Sequence, residues 1–206
     1  MTSRSSGTES PQDPEDPVDR IVRLVLERAP TLGAGRLVCV DGPAGSGKTT
    51  LAAALGRRFS ERSHTTRTRG VELLHMDDVY DGWDGLDAGM ATVTDSVVAP
   101  LRTGVPGRYR RYDWHRGSFA EVRPIEPCAV LVVEGVGSGA SAYADAITCL
   151  VWVEAPADVR LSRGLARDGA DLREHWTAWR DREDEMFARE RTRERADVVV
   201  DGLGPG

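Results

Sequence analysis

The stretch RLVCVDGPAGSGKTTLAAAL, residues 36 to 55, constrains this chain more than any other part of it. Gly42 to Thr49, GPAGSGKT, satisfies G-x-x-x-x-G-K-[ST], follows an apolar run and opens a helical pattern, which is the context a phosphate-binding loop requires. In such a loop Gly42, Gly45 and Gly47 let the backbone N–H groups curl around a polyphosphate, and Pro43, Ala44 and Ser46 complete the binding segment. Thr49 and Thr50 follow in the first turn of a helix whose positive end faces the same anion, and the Thr49 hydroxyl is the expected magnesium ligand. Lys48 is the only lysine beside 26 arginines. A compact ammonium on a flexible stem reaches the β- and γ-phosphates where a planar guanidinium fits badly, so a chain that otherwise uses arginine keeps its lysine here.

The rest of the chain repeats the strand-then-helix rhythm. Apolar runs at 36–40, 71–76, 129–135, 148–154 and 196–202 are continuous rather than alternating, as in strands of a parallel sheet covered on both faces. Helical spacing falls between them: Val18, Ile21, Val22, Val25, Leu26 and Ala29 form one stripe, and Met90, Val93, Val97, Val98 and Leu101 form another. The pattern predicts an α/β fold, a P-loop NTPase three-layer sandwich with a five-stranded parallel sheet. Residues 1–17, rich in Ser, Pro and acids, are expected to be a disordered tail, with a single P-loop domain over 18–206. The segment GRYRRYDWHRGSFAEVRP fits neither pattern and is expected to form a small hairpin over the site.

Composition narrows the function. A net charge of -6 argues against nucleic acid or an anionic membrane as partner, and no apolar run approaches the roughly 18 residues that span a bilayer. Cys39, Cys128 and Cys149 are an odd set, two of them inside apolar runs, so a reduced, cytoplasmic protein is expected. Homo-oligomerisation stays open. The sequence has no asparagine, and its one glutamine, Gln12, lies in the tail. A GTPase needs N-K-x-D for guanine and usually a glutamine to orient water, while a protein kinase needs a catalytic-loop Asn. Both are excluded.

What remains is a P-loop enzyme whose acceptor is activated by a carboxylate, and such acids belong at the carboxyl ends of the strands beside the loop. Asp77 and Asp78 end VELLHMDD, and Glu134 ends AVLVVEG. Glu134 is placed as a magnesium-associated acid, Asp77 as the acceptor of a hydroxyl proton, and Asp78 either as a second candidate or as a turn residue. The acidic loop DDVYDGWDGLD lacks the ligand spacing of an EF-hand.

From about Arg36 to Gly202 the sequence resembles the uridine-cytidine kinase family of P-loop nucleoside kinases, related to phosphoribulokinase and pantothenate kinase. DDVY is similar to the family's D-x-F-Y, which implies Asp77 as catalytic base and Tyr80 beside the substrate. WDGLDA is similar to a segment that holds ribose hydroxyls, which implies Asp84; YDW resembles Y-D-F and implies Tyr112 near the base. VVEG resembles the strand bearing the magnesium-associated acid, Glu134. RLSRGLARD is similar to the family's lid, here a short lid, which implies Arg163 and Arg167 as phosphate clamps, although Gly164 stands where the family often has a second arginine. The resemblance implies ATP and Mg2+ as cofactors and a small-molecule acceptor, first of all a nucleoside. The alternatives are a nucleotide, a sugar acid or a pantothenate-like alcohol as acceptor, or a non-enzymatic nucleotide-binding regulatory module. Trp176, Trp179, Met186 and Phe187 recur at helical spacing and are expected to form the buried face of a long charged helix.

Overall fold

The computed structural model of the protein describes residues 15–62 and 70–204. The expected tail therefore lies outside the described residues except at its end, where Asp16 caps the first helix by accepting a hydrogen bond from the Val18 N–H at 3.0 Å. That helix, α1, spans Pro17–Glu27. It leads to β1 (Arg36–Asp41), the phosphate-loop motif, and α2 (Lys48–Arg62). After β2 (Val71–His75), a turn at Met76–Asp78 and a second at Gly82–Asp84, α3 (Leu86–Thr92) runs through a π-helical segment (Val93–Val98) into α4 (Ala99–Arg102). Next come β3 (Gly107–Asp113), β4 (Ser118–Ile125), β5 (Val130–Glu134) and β6 (Cys149–Glu154). The chain closes with α5 (Ala157–Asp168), α6 (Arg173–Glu190), α7 (Thr192–Arg195) and β7 (Val198–Asp201).

Five strands form one sheet in the order β2-β5-β1-β6-β7, and every neighbouring pair is parallel. Alternation along the buried strands divides the core in two. Val38 and Val40 of β1 join Val130, Val132, Val151 and Val153 against Ile21, Val22 and Val25 of α1 and Leu55 and Phe59 of α2. Leu37 and Cys39 point the other way, with Leu131, Val133 and Leu150, against Val93, Val97 and Leu101 and against Trp179 and Met186 of α6. Successive side chains of a strand face opposite sides, so a continuous apolar run feeds both helical layers. The three-layer sandwich follows. Among the described residues no helix is long and apolar enough to cross a membrane.

β3 and β4 pair antiparallel outside the main sheet, the hairpin expected for 107–124, with an irregularity between Arg110 and Tyr112. Its turn carries Trp114 and His115 to the carboxyl end of the main sheet. The lid segment is short: α5 ends at Gly169, whose φ is 114°, and one turn at Ala170–Leu172 separates it from α6.

Candidate active site

The motif glycines turn the chain at the carboxyl end of β1. Gly42 and Gly45 have φ values of 139° and 79°, in the region that favours glycine. A Cβ on Gly45 would sit 2.5 Å from the Arg160 carbonyl oxygen, so the apex of the loop lies directly on α5. Asp41, the last residue of β1, is fully buried and accepts from the N–H groups of Gly42 (2.7 Å), Gly137 (2.9 Å) and Gly139 (2.8 Å). It ties the start of the loop to the segment after β5. Burial raises its pKa to about 6, against the pull of those amides and of Lys48. Motif reasoning alone does not single out Asp41; its signal is an acid closing an apolar strand.

The Lys48 ammonium donates to the carbonyl oxygens of Gly42 (2.7 Å) and Pro43 (2.8 Å). Burial lowers its pKa, and Glu183, Glu134, Asp41 and Asp77 counter that. The Thr49 hydroxyl donates to Glu134 Oε1 at 3.1 Å. The same oxygen lies 2.5 Å from His75 Nδ1, and this pairing raises the His75 pKa. His75 is not among the sequence candidates, being one polar residue inside a strand pattern.

A cavity of about 850 Å³ opens over these groups and gathers most of the expected residues. The phosphate-loop residues Ala44, Gly45, Gly47, Lys48, Thr49 and Thr50 line one end with Glu134, Asp77, Arg163 and Arg167. Asp77 sits on the turn after β2, exposed and lining the cavity. Crowding by protein raises its pKa, the Glu134 carboxylate adds to this, and Arg167, Lys48 and His75 pull it back. Asp78 instead meets the Tyr109 hydroxyl at 3.4 Å and does not line the cavity. The Arg163 guanidinium donates to the carbonyls of Gly45 (3.3 Å) and Gly202 (3.1 Å). Arg167, one turn further along α5, pairs with Asp168 at 2.7 Å and lies over the Trp176 ring at 5.8 Å.

The other end of the cavity is aromatic. Tyr80, Trp83, Trp114, Trp176 and Trp179 line it, with His115. Trp83 is the hub: its ring centroid lies 5.6 Å from Trp114, 6.0 Å from Trp179 and 6.4 Å from Trp176, all edge-on, and it stacks on His175 at 5.5 Å. The Trp114 indole N–H donates to the Asp77 carbonyl at 2.9 Å, so the hairpin tip holds the turn that carries the acid. Tyr80 donates its hydroxyl to the Val136 carbonyl and packs on Trp179 at 5.1 Å.

Two expected substrate residues are not brought in. Asp84 is turned outward, its side chain 81% exposed, and pairs with Arg182, whose other nitrogen donates to the Trp83 carbonyl. Tyr112 is buried behind Trp114 and Phe119, at 5.3 Å from each, and lines no part of the cavity. The short chain between Asp77 and Asp84 explains the first: two tight turns follow each other, and the second aims Trp83 inward and Asp84 outward. Trp83 and Trp114, the neighbours of the expected residues, take their place.

Trp176 and Trp179 are buried, as their spacing predicts, and also face the cavity. The reason lies in Gly164. A Cβ there would fall 2.2 Å from Trp176 Cζ2 and 2.4 Å from Cη2, so the indole occupies the space that any side chain at 164 would need. Gly164→Ala is therefore expected to destabilise the protein by about 1–3 kcal/mol, the usual cost of overpacking, which for a chain of this size lowers Tm by roughly 2–4 °C per kcal/mol. An unchanged melting temperature would show that Trp176 is not seated there.

The site fits a magnesium polyphosphate. Gly42 and Gly45 adopt the positive φ values of such a loop, with the Gly42 N–H donated to Asp41 and the Ala44 N–H to Glu183 rather than left for an anion. The Thr49 hydroxyl and Glu134 carboxylate, already in contact, are hard oxygen donors of the kind Mg2+ takes. Among the described residues no group of three or more His, Cys, Asp or Glu could hold a metal alone. This suits an ion held through one or two protein oxygens and completed by phosphates and water.

No family model matches the chain. The uridine kinase of Latilactobacillus sakei subsp. sakei (strain 23K) is 27% identical over 139 residues, which span 64% of this chain and 66%, just under two thirds, of that one. A possible uridine kinase from Bacillus stearothermophilus superimposes with a TM-score of 0.64 at 21% identity, covering 89% of this chain and 97% of that one. A protein from Silicibacter sp. TM1040 described as a fructose transport system kinase gives a TM-score of 0.54 at 20% identity, with 89% and 98% covered. The chain has the fold of these P-loop kinases, and its sequence resembles the uridine kinase-like members.

Proposed function

We propose that the protein is an ATP- and Mg2+-dependent phosphotransferase acting on a small-molecule hydroxyl, with a nucleoside as the leading acceptor. The observation that carries this reading is one cavity with the phosphate loop, Glu134 and an open Asp77 carboxylate at one end and a tryptophan wall at the other. A binding module alone has no use for a carboxylate poised beyond the phosphate loop. The name of the Latilactobacillus relative supports a nucleoside as acceptor.

Phosphoryl transfer is mostly positioning and charge stabilisation. Lys48 leaves the Gly42 and Pro43 carbonyls to meet the β- and γ-phosphates. Thr49 and Glu134 hold the magnesium ion, which neutralises phosphate charge when bound. Arg163 and Arg167 face the transferred group from α5, and Asp77 takes the proton from the attacking hydroxyl. Its raised pKa makes it a better acceptor than an ordinary aspartate. A screen of candidate alcohols for acceptor-dependent ADP release tests the reading. Turnover identifies acceptor and enzyme together, and nucleotide binding without turnover across the panel contradicts it.

The outward Asp84 favours an acceptor chosen by its ring more than by its sugar hydroxyls. Stacking on an aromatic side chain contributes about 1–3 kcal/mol per base. Trp114→Ala is accordingly expected to raise the acceptor KM by roughly 5- to 150-fold, that same energy at 1.4 kcal/mol per tenfold, while nucleotide affinity stays within about twofold. Asp84→Ala, which breaks an exposed ion pair of small energy, is expected to leave the preference between ribo- and deoxyribonucleosides unchanged. Steady-state kinetics with both acceptor classes checks the pair; an Asp84→Ala variant that loses discrimination would restore Asp84 to the substrate site.

A further inference from the structure

One charged residue of α6 departs from the solvated face that its sequence predicts. Glu183 is fully buried, and both of its oxygens are used: Oε2 accepts from the Ala44 N–H at 2.8 Å, and Oε1 from Arg160 Nη1 at 3.0 Å. Arg160 belongs to α5, so the carboxylate joins both lid helices to the phosphate loop. Ala44 N–H and Pro43 C=O are the two ends of one peptide unit. The carbonyl end accepts from the Lys48 ammonium at 2.8 Å, and the amide end donates to Glu183. A single rigid peptide plane thus lies between the residue that must meet the phosphates and a helix that shapes the far end of the cavity.

The same helix face continues to the acceptor side. Trp176, Trp179, Glu183 and Met186 are the buried residues of α6, spaced i, i+3, i+7 and i+10. Trp176 and Trp179 line the cavity beside Trp83. When Lys48 turns to an incoming polyphosphate, the Pro43 carbonyl loses its ammonium donor and keeps only the Ser46 N–H at 3.2 Å, while the Ala44 N–H stays clasped. A peptide plane turns as a unit, and a buried carboxylate oxygen that gives up its donor is left unsatisfied, so α6 follows the loop.

We infer that Glu183 is a positioning residue that carries the occupancy of the phosphate loop, through the Pro43–Ala44 peptide, to the tryptophan wall of the acceptor site. The inference rests on the phosphate-loop reading of the proposed function. It makes nucleotide and acceptor binding energetically coupled, and coupling between two sites is reciprocal.

The test uses magnesium tripolyphosphate, which fills the loop and has no ring to touch the tryptophans directly. Calorimetry gives the occupancy and intrinsic tryptophan fluorescence the response. The unmutated chain is expected to show a saturable change in emission. Glu183→Gln keeps the reach and an oxygen for the Ala44 N–H, and is expected to retain at least half of that change. Glu183→Asp keeps the charge and the Arg160 pair but falls one methylene short, and is expected to lose the change and to weaken tripolyphosphate binding about tenfold. Equal responses in the two variants at equal occupancy, both kept or both lost, overturn the inference. The indole N–H resonance of Trp179 in the unmutated protein, away from Arg167, tests it without any substitution: it shifts on saturation if the inference holds, and an unshifted resonance overturns it. Absence of tripolyphosphate binding by the unmutated chain would instead sink the phosphate-loop reading, and this inference with it.

Discussion

Asp77→Asn is expected to lower turnover by roughly 10²–10⁴, the contribution of a positioned general base, while leaving ATP affinity within about twofold. The substitution keeps the shape of the side chain at the turn after β2 and leaves the Trp114 indole on the Asp77 carbonyl, because that bond is to the main chain. Only the proton acceptor is removed. The pH profile gives a second readout. A base works when ionised, so kcat/KM should fall as pH drops through the Asp77 pKa, which crowding and Glu134 place above the ordinary aspartate value. That acidic limb should disappear in Asp77→Asn. Pre-steady-state transfer rates at saturating ATP check the magnitude, and a variant as fast as the parent would remove Asp77 from the chemistry.

Lys48→Ala is expected to abolish measurable transfer and to weaken nucleotide binding. Two effects combine. The phosphates lose the one ammonium of the loop, and removal of a single preorganised charge stabiliser typically costs about 10²–10³ in rate. The Gly42 and Pro43 carbonyls also lose the ammonium they share, which leaves the loop less well held before nucleotide arrives. Arg163 cannot substitute, because its guanidinium is held between the Gly45 and Gly202 carbonyls. Calorimetric titration with ATP separates the binding loss from the rate loss. Transfer at the parental rate would contradict the assignment of the loop.

Features with a local signal are legible in the amino-acid sequence, and features set by tertiary contact are not. The five strands of the parallel sheet are legible because each buried strand is a continuous apolar run, and the loop because its glycines, lysine and threonine sit at fixed offsets. Asp77, Glu134 and Thr49 can be placed together because strand ends in such a sheet converge. The acceptor side is not legible in the same way. Whether Asp84 or its neighbour Trp83 faces the cavity depends on the pitch of two successive tight turns, which the sequence leaves open. Tyr112 and Trp114 are separated by one residue, and the irregularity of the hairpin near Tyr112 precedes the turn that sends Trp114 to the site. Gly164 can be recognised as unusual but not explained, since its partner, Trp176, lies beyond the lid turn. Glu183 is hidden in a run of charges with helical spacing. Its burial is set by contact with Ala44 and Arg160, for which the run carries no local mark.

The central claim is phosphoryl transfer from ATP to a ring-bearing alcohol in this cavity. Phosphorus NMR of the protein with ATP, Mg2+ and a uridine or cytidine acceptor observes that transfer directly. A new phosphomonoester resonance is expected to grow in step with ADP, and to be absent when Asp77→Asn replaces the parent over the same time. ADP accompanied by free phosphate alone, with no phosphomonoester on any acceptor supplied, would contradict it.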